Sequence, residues 1–524
     1  MSGWCWPFHR RARRRRARVP PDGGYFPAGR PDAAGRVLLA GAAAAGAAMV
    51  IVTAAMAPGR APVLAAVGAA GLGAGLWACG NPRLACLWGL ALAAPLGIAK
   101  RFHPIPHMGG AGAYSIELVD LFLVALLAFQ LRDWRRGEAR PCLPAVAACW
   151  GAMILLGLMA AAGGPYRQLA MMEAFQMAKT LLLFLVLVGE LVRVRRFLHL
   201  FAALCCGLLL QSLIGIAQFV RRGDVGLQML GEATMTTLEY ANKATYLDDG
   251  GTFRIGGLMG HPNIYAGFIA ILAPILLAML MTRLPPERKL PVAAVLATAL
   301  VALLLTLSRS GWLSFALAVP IVVGLMLRDR RARRRVLTMT GLSLLIAMPA
   351  AIAAAPAIVR RFTRSDPGAV DFRWEWMGVA WDMVGDHPLL GVGLNSFVFH
   401  LPGRTQYGGA EALTRTFGTN WPVVHDIYLL IWAEQGTIGF ALFVALLALL
   451  VRTGWRNARD CADPWLHALS VGALAGLSAN MVDGLGSFFL RQMPGARMFW
   501  IAAAIIVATR YWQQRNGPGR ERPA

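Results

Sequence analysis

The sequence predicts an all-α polytopic membrane protein, with about 12–14 transmembrane helices and a long outer loop carrying short helices. Three observations lead there. Of 524 residues, 57% are hydrophobic and only 15% are charged, against roughly 25% charged in soluble domains. Many apolar runs approach or exceed the ~18 residues that mark a membrane-spanning helix, and backbone inside lipid must satisfy itself, which a helix does. The cations are also spread unevenly between those runs, as the positive-inside rule requires of a multi-pass chain.

Residues 1–36 read as a basic, disordered, cytoplasmic N-terminus, in which "RRARRRRAR" (Arg10–Arg18) is a topology anchor with a weak attraction to anionic lipid. Apolar runs at 37–57, 62–79, 84–99, 116–131, 143–162, 175–192 and 197–219 make an N-terminal transmembrane region over 37–219. The first of them ends too late for a signal peptide and reads as an uncleaved helix. An outer loop at 220–262 follows, then runs at 263–282, 290–307, 310–327 and 336–356. A second, longer outer loop spans 357–424. Runs at 425–451, 466–486 and 497–511 complete the bundle, with C-terminal helices over 441–511 and a cytoplasmic tail at 512–524.

The net charge is +24, from 51 Lys+Arg against 27 Asp+Glu. In a soluble protein that balance suggests nucleic acid. Here roughly two thirds of the cations fall in the connections that are inner when the N-terminus is inside, including "RDWRRGEAR", "RVRR" and "RDRRARRR". Topology therefore explains the charge, and nucleic acid is not an expected partner. None of the eight cysteines lies in a long outer loop, and no Cys/His spacing suggests zinc.

In this threading Glu117, Asp120, Lys179, Arg309, His425 and Asp483 lie toward the outer ends of their helices, with Glu434 deeper and Glu190 at an inner end. Snorkelling and ion pairs, such as Glu117 or Asp120 with Lys179, account for each singly. Their common side points to a polar cavity opening outward.

Four stretches carry chemistry. In "LLLTLSRSGWLSF" (Leu303–Phe315) only Ser308 to Gly311 separate two spans, which puts Arg309 at the tip of a tight outer hairpin. "GGTFRIGGLMGHPNIYAGF" (Gly250–Phe268) leads into a helix that Asn263 is placed to cap, with an anion favoured at its N-terminus. Arg254 reads there either as a rigid fork for phosphate or as a solvated arginine in a glycine-rich turn. "DFRWEWMGVAWDMVGDHPLLGVGLNSF" (Asp371–Phe397) predicts an interfacial helix with an apolar stripe of Phe372, Trp374, Met377, Trp381 and Val384, holding Arg373 at its start. The aromatics of 357–424 either stack on sugars or seat the loop on the bilayer. In "WPVVHDIYLLIWAEQGTIGF" (Trp421–Phe440), His425 opens a helix with Tyr428 and Trp432 on its face, and reads as an interface residue or as a general base.

In order and spacing these stretches resemble one family. The elements are "R-x-x-G-x-x-x-x-P-N" into a helix, "T-x-S-R-x-G", a long outer loop with "R-W-x-W" and "H-P-L-L-G-V-G", then "H-D-x-Y-L" with "E-x-G-x-x-G". The pattern looks like the O-antigen ligase and Wzy-type polysaccharide polymerase superfamily, over a module at 252–440 that includes the outer loop. The resemblance implies a GT-C-class, inverting, metal-independent glycosyltransferase of the bacterial inner membrane, with both termini cytoplasmic and no cofactor. It implies a glycan donor on undecaprenyl pyrophosphate, used on the periplasmic face. The acceptor would be lipid A-core for a ligase or another lipid-linked glycan for a polymerase, with a chain-length regulator as partner in the second case. Carried over by position, Arg254 and Arg373 bind pyrophosphate and His425 is the base. Arg309, Asn263, His261, Asp426, Tyr428 and Trp374 complete the substrate-binding set; Asp426 stands where many relatives carry asparagine. The reading from another class is a transporter of a small anion or glycan, which requires polar residues at the midplane and inner half where few are found.

Overall fold

The computed structural model describes residues 81–516 apart from 106–108, 163–164, 195, 234–252, 329–332, 342–354, 357–358, 360–362, 364–368 and 419–420. The basic N-terminus, the runs predicted at 37–57 and 62–79, most of the run at 336–356, and the tail beyond 516 lie outside the described residues.

Among the described residues the chain is all-α apart from one short hairpin. Helix α1 (Pro82–Ala93) leads into β1 (Ala99–Phe102) and β2 (Tyr114–Glu117), then α2 (Leu118–Arg135), α3 (Ala145–Ala161), α4 (Arg167–Val194) and α5 (Phe197–Arg221). After the first long connection come α6 (Pro262–Leu280), α7 (Pro286–Leu305) and α8 (Arg309–Met326). The second long loop holds α9 (Ala369–Asp386), a 3-10 turn (Phe397–His400) and α10 (Ala410–Phe417). Helices α11 (Ile427–Asp460), α12 (Pro464–Asp483) and α13 (Met493–Asn516) close the bundle. Among the described residues, α4, α5, α6, α7, α8, α11 and α12 are long and apolar enough to cross a membrane, while α1 and α3 are shorter apolar helices.

The hairpin corrects the sequence reading, which ran the third and fourth spans without a strand between them. β1 and β2 pair antiparallel, with Ala99 opposite Glu117 and Phe102 opposite Tyr114. Lys100 and Arg101 are exposed on it. The expected pairing with Lys179 involves both carboxylates: its Nζ lies 3.0 Å from Glu117 and 2.7 Å from Asp120. Arg497 of α13 adds a contact to Glu117 at 3.3 Å. These charges tie the start of α2 to α4 and α13.

The densest helix pairing is α6 against α12, and small residues explain it. Gly472 and Gly476 are four apart on α12, and a Cβ at either would overlap the α6 main chain at Pro274–Ile275 or Ile271. Lipid supplies no hydrophobic drive between helices, so close backbone approach is what holds such a pair. Gly476→Leu is therefore expected to overpack this contact by about 1–3 kcal/mol. A thermal unfolding scan in detergent should show a lowered midpoint, and an unchanged midpoint would refute the close approach.

Helix direction places the parts. The connection 484–492 is short, so α12 ends and α13 begins at the same end of the bundle. The N-terminal ends of α2 and α4 lie there too, through Glu117 to Arg497 at 3.3 Å and Glu173 to Arg491 at 3.1 Å. The C-terminal ends of α2, α4 and α13 consequently meet at the opposite end.

Candidate functional site

The site forms where α6, α8 and α11 begin and α12 ends, beneath α9. Main-chain and side-chain bonds fix that meeting. The Ile427 amide donates to the Gly484 carbonyl at 2.9 Å, and the Tyr428 hydroxyl donates to the Met481 carbonyl at 2.8 Å. Ser314 of α8 donates to the Ala479 carbonyl at 3.4 Å.

Arg254 is only 5% exposed, which rules out the solvated-turn reading. Its Nε donates to the Thr306 carbonyl at 2.9 Å, and an Nη donates to Asn263 Oδ1 at 2.8 Å. The guanidinium thus bridges the α7–α8 hairpin and the start of α6. Asn263 does not cap α6. The cap is His261, whose Nδ1 accepts from the Asn263 amide at 3.2 Å, with Pro262 filling the first helical position where no N–H is needed. Because Nδ1 accepts, a neutral His261 carries its proton on Nε2.

His425 has the opposite tautomer. Its Nδ1 lies 3.0 Å from the Val423 carbonyl oxygen, which can only accept, so Nδ1 carries the proton and Nε2 keeps its lone pair. The cap of α11 is Asp426, whose Oδ1 accepts from Tyr428 at 2.8 Å and Leu429 at 3.0 Å. That carboxylate spends its bonds on the helix and does not orient the imidazole. Burial, then the nearby Arg373 cation, pushes the His425 imidazole down to about 4. Burial, then Arg254 and His425, does the same to His261, also to about 4. Both rings are neutral near pH 7. Phe488 stands edge-on to His425 at 5.1 Å and Phe372 at 6.1 Å.

These electrostatic neighbours link Arg254, His261, His425 and Arg373 in sequence. Asp483 extends the chain. Its Oδ2 accepts from Ser487 at 2.8 Å, and Ser310 and Arg373 act on it. Its Oδ1 is buried with no hydrogen-bond partner among the described residues. The sequence reading placed Asp483 on the outward side but did not assign it to the site. The available signal was an acidic residue closing an apolar helix beside a serine, in "DGLGS".

Arg309 is the first residue of α8, behind the cap Ser308, at the hairpin whose Thr306 receives Arg254. The tight turn is visible in Leu307, which adopts φ 50°. Arg309→Lys is expected to reduce the glycan transfer that the resemblance implies, at normal protein levels, because lysine keeps the charge and loses the planar fork. Full activity of both the lysine and alanine variants would make it an anchor only.

The face of α9 keeps Phe372, Met377 and Val384 of the predicted stripe but not its two tryptophans. Trp376 is fully buried against Phe372 at 4.1 Å, Tyr407 at 5.9 Å and Phe417 at 5.7 Å, and its Nε1 donates to the Pro422 carbonyl at 2.8 Å. Trp374 and Trp381 point outward, with Trp374 69% exposed and away from this aromatic cluster. Val379, Ala380 and Met383 continue the buried face. Tryptophans at 374, 376 and 381 made two registers equally apolar, and the Pro422 acceptor decides between them.

A break in α11 joins the loop to the site. Gly436 has φ 62° and ψ −171° inside the helix. The "HPLLGVG" segment fills the opening: Thr437 and Ile438 amides donate to the Pro388 and Leu389 carbonyls at 2.8 and 3.4 Å, while Val392 and Gly393 amides donate to the Ala433 and Glu434 carbonyls at 2.8 and 3.0 Å. A Cβ at Gly391 or Gly436 would overlap the partner main chain. Broken helices survive at membrane depth only where such bonds are restored. Below the break, Glu434 binds Arg491, which also meets Glu173 at 3.1 Å, and Glu434 Oε1 accepts the Phe397 amide at 3.2 Å.

Residues 292–444 match the family model Wzy_C, described as O-antigen ligase. The resemblance to the O-antigen ligase and Wzy-type superfamily holds over that stretch. It spans most of α7, all of α8 to α10 and the first half of α11, and so includes Arg309, Arg373 and His425. Arg254, His261 and Asn263 precede it, and Asp483 follows it. No curated protein matches the chain.

Proposed function

We propose, from the O-antigen ligase-type domain at 292–444, that this chain transfers a glycan from undecaprenyl pyrophosphate to a hydroxyl of lipid A-core or of a second lipid-linked glycan, on the periplasmic face. The observation that carries this reading is His425: a neutral imidazole whose Nδ1–H is held by a carbonyl, leaving Nε2 as a base beside Arg373, with Arg254 next to the neighbouring His261. Nε2 removes the acceptor's proton as its oxygen attacks the anomeric carbon. The anomeric C–O bond breaks, and its electron pair leaves with the pyrophosphate. Arg254 and Arg373 stabilise that growing charge. One displacement inverts the anomeric centre, and no covalent enzyme intermediate is required.

The test is purified protein with undecaprenyl-pyrophosphate glycan and a defined acceptor, with EDTA present. Product of inverted configuration is expected, and abolition by EDTA would end the metal-independent reading. Topology is tested separately by cysteine labelling at Gly408 and Arg333. We expect position 408 to react from outside and position 333 not to; external labelling at 333 would reverse the map.

A further inference from the structure

At the end of the bundle remote from His425 lies a cavity of about 840 Å³, between the C-terminal ends of α2, α4 and α13 and the connection to α3. Its size falls within the roughly 300–1,000 Å³ of ordinary small-molecule sites. Its walls and mouth differ in character. Leu127, Leu182, Leu185, Val186 and Val192 supply apolar walls from α2 and α4, with Gln130 among them. The mouth holds Trp134, Trp512, Arg140 and Arg515 with one acid, Glu138, and both arginines are exposed.

We propose that this cavity binds an anionic glycerophospholipid, with the headgroup phosphate at Arg140 and Arg515 and an acyl chain along Leu127, Leu182 and Leu185. Water gains little against those walls, whereas an acyl chain buries apolar area on both partners. Tryptophans at such a mouth sit where ring and polar edge both find their medium. Two arginines against one carboxylate favour an anionic headgroup over a zwitterionic one, and basic pockets between helices at a cytoplasmic face bind such lipids. The position agrees with the threading, in which 132–142 and the end of α13 are inner. This site is independent of the glycan-transfer reading and shares no residue with it.

Full-length protein in detergent is titrated with phosphatidylglycerol and, separately, phosphatidylethanolamine, and bound lipid is counted by native mass spectrometry. Phosphatidylglycerol is expected to be retained preferentially. Arg140→Ala and Arg515→Ala should each weaken it about five-fold and leave phosphatidylethanolamine unchanged; both side chains are exposed, so folding is not at risk. Leu185→Trp should reduce binding of both lipids by filling the cavity. Equal retention of the two lipids, or an unaffected double arginine variant, would overturn the proposal. So would a photo-crosslinker at Leu185 that captures residues 1–80 of the same chain in place of lipid.

Discussion

His425→Ala is expected to lower glycan transfer by ~10²–10⁴-fold while leaving donor binding unchanged, because a general base acts on the acceptor proton and not on pyrophosphate. The pH profile separates this role from a packing role. In the free protein the imidazole is pushed down to about 4 by burial and Arg373, so kcat/KM should hold level from about pH 8 to 5.5 and fall only as the ring protonates below that. On the proposed mechanism, bound pyrophosphate would offset the Arg373 cation and raise the imidazole, so the acid limb of kcat should lie above that of kcat/KM. Arg373→Gln removes one of the two lowering causes and should move the kcat/KM limb upward toward the ordinary value near 6.5. Wild-type turnover of His425→Ala across this range would dismiss it as the base.

Arg254→Ala is expected to raise the donor KM and to lower kcat by ~10²–10³-fold, the usual loss when a fixed donor to developing charge is removed. Arg254→Lys should recover little. The guanidinium is held by two bonds in different directions, to Thr306 and Asn263 at 2.9 and 2.8 Å, and an ammonium cannot span both with the same geometry. Lost stability is the competing explanation, so the unfolding midpoint is measured alongside. A rate loss that merely follows the unfolded fraction would assign Arg254 to structure alone.

Much of the bundle was legible because long apolar runs have one solution in lipid. The run at 263–282 became Pro262–Leu280, and that at 310–327 became Arg309–Met326. The order of motifs also brought Arg254, His261, Arg373 and His425 into one neighbourhood. Other features depend on information absent from local pattern. Two polar residues within three positions compete to cap a helix, and geometry chose His261 over Asn263. The buried face of α9 was set by the distant Pro422 carbonyl. Asp483 joined the site through the return of α12, and locally only its place at the end of an apolar helix beside Ser487 hinted at it. The helix break at Gly436 hid inside a predicted span, since "EQGTIGF" reads as plain helix until its partner loop is known.

That break has a consequence for protein engineering. Main-chain bonds between 388–393 and 433–438 tether α9, with Arg373, to the first turns of α11, with His425. Apart from Gly391 and Gly436, where a Cβ would overlap the partner main chain, such bonds are nearly blind to side-chain identity, so the surrounding loop can diverge while the spacing of arginine and histidine is kept. A chimera that exchanges the 357–424 loop between homologues should therefore cut beyond residue 439, carrying both halves of the splice in one graft. A junction placed at the visible end of the loop, near 424, would separate two surfaces that were fitted to each other and misplace Arg373 without altering one residue of the site.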